Sequence, residues 1–269
     1  MFTNQYTRMS WPDNKEPMDL RGAVRDRSHA KMFLDRFTPG IRVEGVVDAS
    51  RQDIEDRIEQ IAHSCPPLLV VYFQGHSEGD SGPLRCKLVK MFSKLSVYTM
   101  STVITDFCGS GNIYRLRFRL VVSSDGKYFE WYETNEWRDD NKANQKYRIA
   151  SPMLHVAASL EWQSAYETEK RGGYLTNSLA AAELEALPRF LLHLRQGVNN
   201  HLQIAKAHPR RPLNKDATQY PQIYCTCKLV RHFFKHTLTQ KLIPFILIAA
   251  RRSGDLLEDV SWNGQAILF

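Results

Sequence analysis

His76 and Cys108 are the two residues of this chain best placed to do chemistry together. An apolar run, Leu68-Leu69-Val70-Val71-Tyr72-Phe73-Gln74, ends on Gly75-His76. A second run, Met100-Ser101-Thr102-Val103-Ile104-Thr105, ends on Asp106-Phe107-Cys108-Gly109-Ser110-Gly111. Each delivers one reactive side chain at the carboxyl end of a buried-looking strand. In an open parallel sheet such ends lie along one rim, where ligands bind. A thiol is weakly ionised at neutral pH unless a base or a positive environment assists it. His76 can act as that base and then protonate a leaving amine. The glycine-containing stretch after the cysteine lets backbone N–H groups face developing negative charge. The separation, 108 − 76 = 32 residues, accommodates one helical crossover between parallel strands. A structural cysteine with an incidental loop histidine is the bland alternative; it explains either residue alone better than it explains the pair.

The elements around these runs alternate strand and helix. Residues 22–37 predict a helix with Ala23, Ala30, Met32, Phe33 and Phe37 as its apolar set, stopped by Thr38-Pro39-Gly40. Ile41 to Val47 predicts a short strand. Ser50 with Asp53 forms a helix-start signature, followed by Ile54, Ile58 and Ile61 at helical spacing. Pro83 to Leu95 predicts the crossover helix, with Leu84, Leu88, Met91, Phe92 and Leu95 on one face. Leu116–Ser123 and Lys127–Tyr132 flank Ser124-Asp125-Gly126, a hairpin signal. Thr134 to Lys146 reads as a polar surface linker, Met153–Ser159 and Pro221–Cys227 as strands, and Glu183–Ala207 as a helix broken at Pro188. The fold class is α/β, a mainly parallel β-sheet sandwiched between helices.

The chain has 269 residues, 43% hydrophobic and 24% charged, ordinary values for a globular protein with one large domain. No apolar run approaches the roughly 20 residues that span a bilayer, so no membrane partner is expected. The start is polar and has no signal-like apolar segment, and five cysteines do not suggest a disulfide framework. The cytoplasm, or the nucleus, is the expected location. Net charge is +7, but no aromatic stacking module or zinc-finger spacing accompanies it, so a nucleic-acid partner is not expected.

Several blocks together resemble metacaspases, the caspase-like cysteine peptidases of fungi, plants and protists. Gln74-Gly75-His76 and Asp106-x-Cys108-x-Ser110-Gly111 resemble the family's catalytic blocks. Leu20-Arg21-Gly22-Ala23-Val24-Arg25-Asp26 resembles its first-helix motif. Ala157-Ala158-Ser159, Gln163-x-Ala165-x-Glu167 and Gly172-Gly173-Tyr174-Leu175-Thr176 resemble its small-subunit block, and Gln219-Tyr220-Pro221-Gln222 its late strand. The order of the blocks is more specific than any one of them. The resemblance covers residues 20–228, leaving 1–19 as an arm and 229–269 as an extension of unassigned structure. It implies a caspase-like fold and a dyad of His76 and Cys108. It also implies an oxyanion hole from the backbone N–H groups of Cys108 and Ser77, and an acidic primary pocket in which Asp106, with Glu78 as a second carboxylate, receives Arg or Lys. Protein or peptide substrates with basic cleavage residues follow from it; no cofactor does. Lys142, Lys146 and Arg148 lie where family members are often cleaved.

Three departures bear on activity. The apolar strand that precedes the first-helix motif in the family is missing from residues 1–19. Ser77 stands where the family has glycine, and a φ above zero there would strain it. The 32 residues between the two blocks fall short of the roughly 50 of caspases; the missing stretch is where many metacaspases carry acidic calcium ligands, and only Glu78 and Asp80 remain, so no calcium site is expected. The missing strand, Ser77 and the basic surface motivate the alternative function, a catalytically weak caspase-like module that binds protein partners.

Other residues read as structural. Cys225-x-Cys227 with His232 and His236 has the wrong cysteine gap for a usual zinc set, and the two thiols fit one core-facing strand face. His155 reads as a core histidine, Phe129, Trp131, Tyr132 and Trp137 as packing, and Asp139-Asp140 as solvated surface.

Overall fold

The computed structural model describes residues 1–6, 18–37, 42–77, 82–138, 147–183, 186–227 and 267–268. The elements are β1 (Phe2–Thr3), α1 (Ala23–Phe37), β2 (Arg42–Val43), β3 (Val46–Val47), α2 (Arg51–Ser64), β4 (Leu68–Gln74), α3 (Gly82–Phe92), β5 (Met100–Asp106), β6 (Phe118–Val122), β7 (Phe129–Glu133), β8 (Met153–Ala157), β9 (Glu167–Thr168), β10 (Gly172–Gly173), α4 (Tyr174–Ala181), α5 (Leu187–Lys206), β11 (Gln222–Cys225) and β12 (Ile267–Leu268).

β4 and β5 lie at the centre because every one of their residues is buried, the pattern of strands covered on both faces. Alternation along β4 divides the core. Leu68, Val70 and Tyr72 face α1, α4 and α5, meeting Phe33, Leu34, Leu175, Leu191 and Leu194. Leu69, Val71 and Phe73 face α2 and α3, meeting Ile58, Ile61, Leu88 and Phe92. Burying each such side chain contributes about 1.5–3 kcal/mol, which fixes the register of both motif strands. The main sheet runs β2-β12-β4-β5-β8-β11-β6-β7. β4, β5 and β8 are parallel, whereas β11, β6 and β7 continue antiparallel, so the β6–β7 hairpin covers the edge of β11.

The expected gap in the sheet is not there. Phe2 and Thr3 pair in parallel with Phe73 and Gln74 on one side and with Val46 and Val47 on the other. Ile267 and Leu268 pair with Leu69 and Val70 further down the same edge. Two short pieces far apart in sequence thus occupy the position of one strand, which no local apolar pattern could signal. Phe2 is 1% exposed and stacks on Phe73 with centroids 5.0 Å apart.

Other elements follow the sequence with shifted ends. Ser50 and Asp53 make the reciprocal capping box of α2, and Cys65 in the left-handed region ends that helix. Ile41–Val47 is two separate two-residue strands, with Ile41 outside the described residues. Pro188 sits in the first turn of α5 rather than breaking it, since that turn needs no N–H from it. α4 was not foreseen. Its sequence, Tyr-Leu-Thr-Asn-Ser-Leu-Ala-Ala, is buried nearly all round and so shows no amphipathic stripe. Among the described residues no helix is long and apolar enough to cross a membrane.

Candidate active site

The β4–β5 register pairs Gln74 with Asp106. His76 and Cys108 therefore leave adjacent parallel strands two residues beyond the same rung, on one rim of the sheet. Their loops are tied directly: Ser77 Oγ donates to the Cys108 carbonyl at 2.6 Å. Ser77 is not among the residues with positive φ, so the strain foreseen for serine at this position does not arise.

His76 is half-buried. Its Nε2 lies 2.7 Å from the Met18 carbonyl. A carbonyl only accepts, so Nε2 carries the proton and Nδ1 is the basic nitrogen of the ring. Burial lowers the imidazole pKa from its ordinary value, and the Met18 hydrogen bond opposes that shift. The ring is consequently neutral near pH 7, the form a general base needs.

Cys108 is held from the opposite side. Its Sγ accepts from the Ala165 N–H at 3.3 Å. The loop that carries Ala165 is fastened to the cysteine loop, which explains the spacing of small residues there. Gly109 adopts φ +63 and donates to the Gln163 carbonyl at 2.9 Å. Ser110 Oγ accepts from Ser159 N at 3.2 Å. A Cβ on Gly111 would lie 2.4 Å from Glu161 N, so only glycine admits that close approach of the two loops. Gln163 braces the same loop, its Oε1 accepting from Leu160 N and Tyr220 N. Gln219 accepts from Tyr166 N and donates to the Ala158 carbonyl. Arg85 of α3 forms an ion pair with Glu161.

Behind the rim lies a cluster of carboxyls. Asp106 is 5% exposed. Its Oδ2 accepts from Thr176 N at 3.1 Å and from Thr176 Oγ1 at 2.5 Å, and the Tyr72 hydroxyl in turn donates to Thr176 Oγ1 at 2.7 Å. Asp26 is fully buried, accepts from Gly173 N at 2.7 Å through Oδ1, and has an Oδ2 with no hydrogen-bond partner among the described residues. Glu167 accepts from Gly22 N at 3.3 Å. Burial pushes all three carboxyl pKa values up. The neighbouring Asp106 adds to the rise at Asp26 and Glu167, with Glu167 reaching about 7. Gly173 sits among them because a Cβ there would fall 2.3 Å from Asp106 Oδ2.

Of the residues foreseen from sequence, His76 and Cys108 stand on one rim with Ser77 joining their loops, Asp106 is buried behind the rim against Thr176, and Glu78 lies outside the described residues. The Met18 carbonyl, Asp26 and Glu167 were missed as site groups. Asp26 and Glu167 stand in blocks already noted, Leu20–Asp26 and Gln163–Glu167, and acidity in both was the available signal; a backbone carbonyl leaves none. His155 is fully buried, with Nε2 2.7 Å from Thr105 Oγ1 and no partner for Nδ1 among the described residues. Burial lowers its pKa to about 3, so it is a neutral core group. Cys225 is buried, and His232 and His236 lie outside the described residues. Asp139, Asp140, Lys142 and Lys146 also lie outside them, while the Arg148 guanidinium sits 4.4 Å from the centre of the Trp137 ring.

A family model described as Caspase domain matches residues 4–233. A search of curated proteins finds no match. Among solved structures, a protein from Geobacter sulfurreducens superposes with a TM-score of 0.52 at 14% identity, over 91% of this chain and 96% of that one. Caspase-1 from Spodoptera frugiperda gives a TM-score of 0.46 at 15% identity, over 82% of this chain and 83% of that one. At 14% identity the Geobacter likeness speaks for the fold alone. The family match takes in both motif strands and every loop that meets at Cys108, and the chain belongs to the caspase-domain family of cysteine peptidases.

Proposed function

We propose that this protein is a cysteine endopeptidase that uses His76 and Cys108 and cleaves after Arg or Lys, in the manner of the metacaspases its motifs resemble. The observation that carries the reading is the register of β4 on β5, which sets the histidine and the cysteine at equivalent points of one rim. His76 Nδ1 takes the thiol proton as Cys108 attacks the scissile carbonyl. The same proton goes to the leaving amine, and water then hydrolyses the acyl-enzyme. The N–H groups of Cys108 and Ser77 receive the oxyanion. No cofactor enters these steps.

The basic preference is supported by charge. A substrate guanidinium or ammonium at the partly buried Glu167 would sit close to the buried carboxyls of Asp106 and Asp26, which interact electrostatically with Glu167. These carboxyls are destabilised by mutual repulsion and burial, and a bound cation relieves both. An acidic side chain there would add a further buried negative charge. The alternative of an inactive scaffold is motivated by a missing strand, Ser77 and the basic surface. Phe2–Thr3 and Ile267–Leu268 pair along the β4 edge, and Ser77 lacks positive φ, which favours the peptidase reading over the scaffold.

The test is turnover of matched fluorogenic peptides ending in Arg or Asp, with Cys108→Ala as control. Cys108-dependent cleavage of the Arg peptide is expected. Absence of any Cys108-dependent turnover, or preference for the Asp peptide, refutes the reading.

A further inference from the structure

We propose that Tyr6 is a positioning residue for His76, pressing the imidazole into place from the face away from the β5 loop. The inference rests on the peptidase reading for its functional meaning, but its structural content does not. Three observations converge. The Tyr6 ring stacks on the His76 ring, with centroids 5.1 Å apart and planes 27° apart. The Tyr6 hydroxyl oxygen accepts from the His76 backbone N–H at 3.1 Å and from Asn4 Nδ2 at 3.2 Å. Tyr6 itself has φ +53, a conformation rare for an aromatic residue. Asp48 holds it there, with Oδ1 accepting from Gln5 N at 2.6 Å and Tyr6 N at 3.0 Å. A backbone kept in a sparsely populated region by a dedicated carboxylate marks a place where exact direction matters.

Gly75 is the counterpart. It shows no positive φ, so its backbone would accept alanine. A Cβ there would fall 2.8 Å from the Tyr6 hydroxyl and 3.2 Å from Asn4 Nδ2. The glycine before the histidine therefore makes room for the tyrosine. His76 is thereby gripped at three points: the ring face by Tyr6, the backbone N–H by the same residue's hydroxyl, and Nε2 by the Met18 carbonyl. Two come from Tyr6, in the segment that follows the strand filling the edge of β4.

The experiment compares Tyr6→Phe, Tyr6→Leu, Gly75→Ala and the Tyr6→Leu/Gly75→Ala double variant. His76 ring resonances are followed by NMR through a pH titration in the Cys108→Ala background, and kcat and KM in the active one. Tyr6→Leu keeps apolar bulk but removes ring and hydroxyl. It is expected to shift the His76 ring resonances, raise the imidazole titration midpoint as water reaches the ring, and lower kcat about tenfold or more with little change in KM. Tyr6→Phe keeps the stack and is expected to change ring resonances less. Gly75→Ala alone is expected to resemble Tyr6→Leu, and the double variant to be no worse than either. Unchanged His76 resonances and titration in Tyr6→Leu, or fully additive losses in the double variant, overturn the proposal. Shifted resonances in a protein without Cys108-dependent turnover uphold the positioning and refute the peptidase reading instead.

Discussion

Ser77 Oγ and the Cys108 carbonyl oxygen lie 2.6 Å apart, a hydrogen bond that joins the loop after β4 to the loop after β5. A serine that looked like a liability in the sequence is a strut. Ser77→Ala and Ser77→Gly remove it without adding strain. Loss of one such bond costs about 1 kcal/mol, and about a fivefold fall in kcat is expected for both variants. Equal or higher kcat in Ser77→Gly would show that the strut is dispensable.

The carboxyl cluster predicts a trade between stability and specificity. In Asp106→Asn the amide oxygen can still accept from Thr176, while the buried charge beside Asp26 is gone. Relief of like-charge burial is expected to raise the melting temperature. The same variant, and Glu167→Gln, should lose about tenfold or more in kcat/KM for the Arg peptide, the effect of one charge-assisted contact. Melting curves and peptide kinetics on the same preparations decide it.

Stability should fall between pH 6.5 and about 8. Asp26, raised to about 8, and Glu167, raised to about 7, hold protons in the folded chain that the unfolded chain has released. With more protons on the folded state, stability falls as pH rises through that window. His155 works in the opposite sense. Its folded pKa is lowered to about 3, so stability falls as pH drops below the ordinary histidine value near 6.5. The two trends oppose each other at acid pH. Above 6.5 the Met1 ammonium, lowered to about 5 by burial, still opposes the carboxyls up to pH 8, and the two carboxyls together outweigh that one amine. A loss of about 1 kcal/mol from pH 6.5 to 8.5 is expected in urea unfolding. Benzamidine, a small cation for the carboxyl cluster, should restore more stability at pH 8.5 than at 6.5. A flat profile would count against this protonation pattern.

Gly111→Ala should be more damaging than its size suggests. Its methyl would meet the backbone of Leu160 and Glu161, which cannot rotate aside. A cost of about 1–3 kcal/mol is expected in urea unfolding. A larger fall in kcat should accompany it, because the displaced loop carries the Ala165 N–H that holds Cys108 Sγ. A Gly126→Ala control is strained too, at φ +69 and against the Leu192 side chain, but it lies in the β6–β7 turn, so it should lower stability and leave kcat unchanged.

Much of this was legible in the sequence because it is local. Seven-residue buried runs specify β4 and β5, the Ser50–Asp53 box specifies the start of α2, and the residues ending the two runs specify which groups reach the rim. What stayed hidden depends on distant segments meeting. α4 lacks an amphipathic stripe because it is buried on nearly every side, and a Met18 carbonyl has no side-chain signature.

The sequence by itself determined the strand–helix alternation and the identity of the rim residues, since periodicity and residue size act within a few positions. Only the tertiary structure decided the rest. It placed Phe2–Thr3 and Ile267–Leu268 on one strand edge and brought Tyr6 onto His76 across 70 residues. It also gathered Asp26, Asp106 and Glu167 from three blocks around Gly173. Acidic groups are buried together there only because the surrounding core is stable enough to hold them, a sum over the whole fold that no single segment encodes.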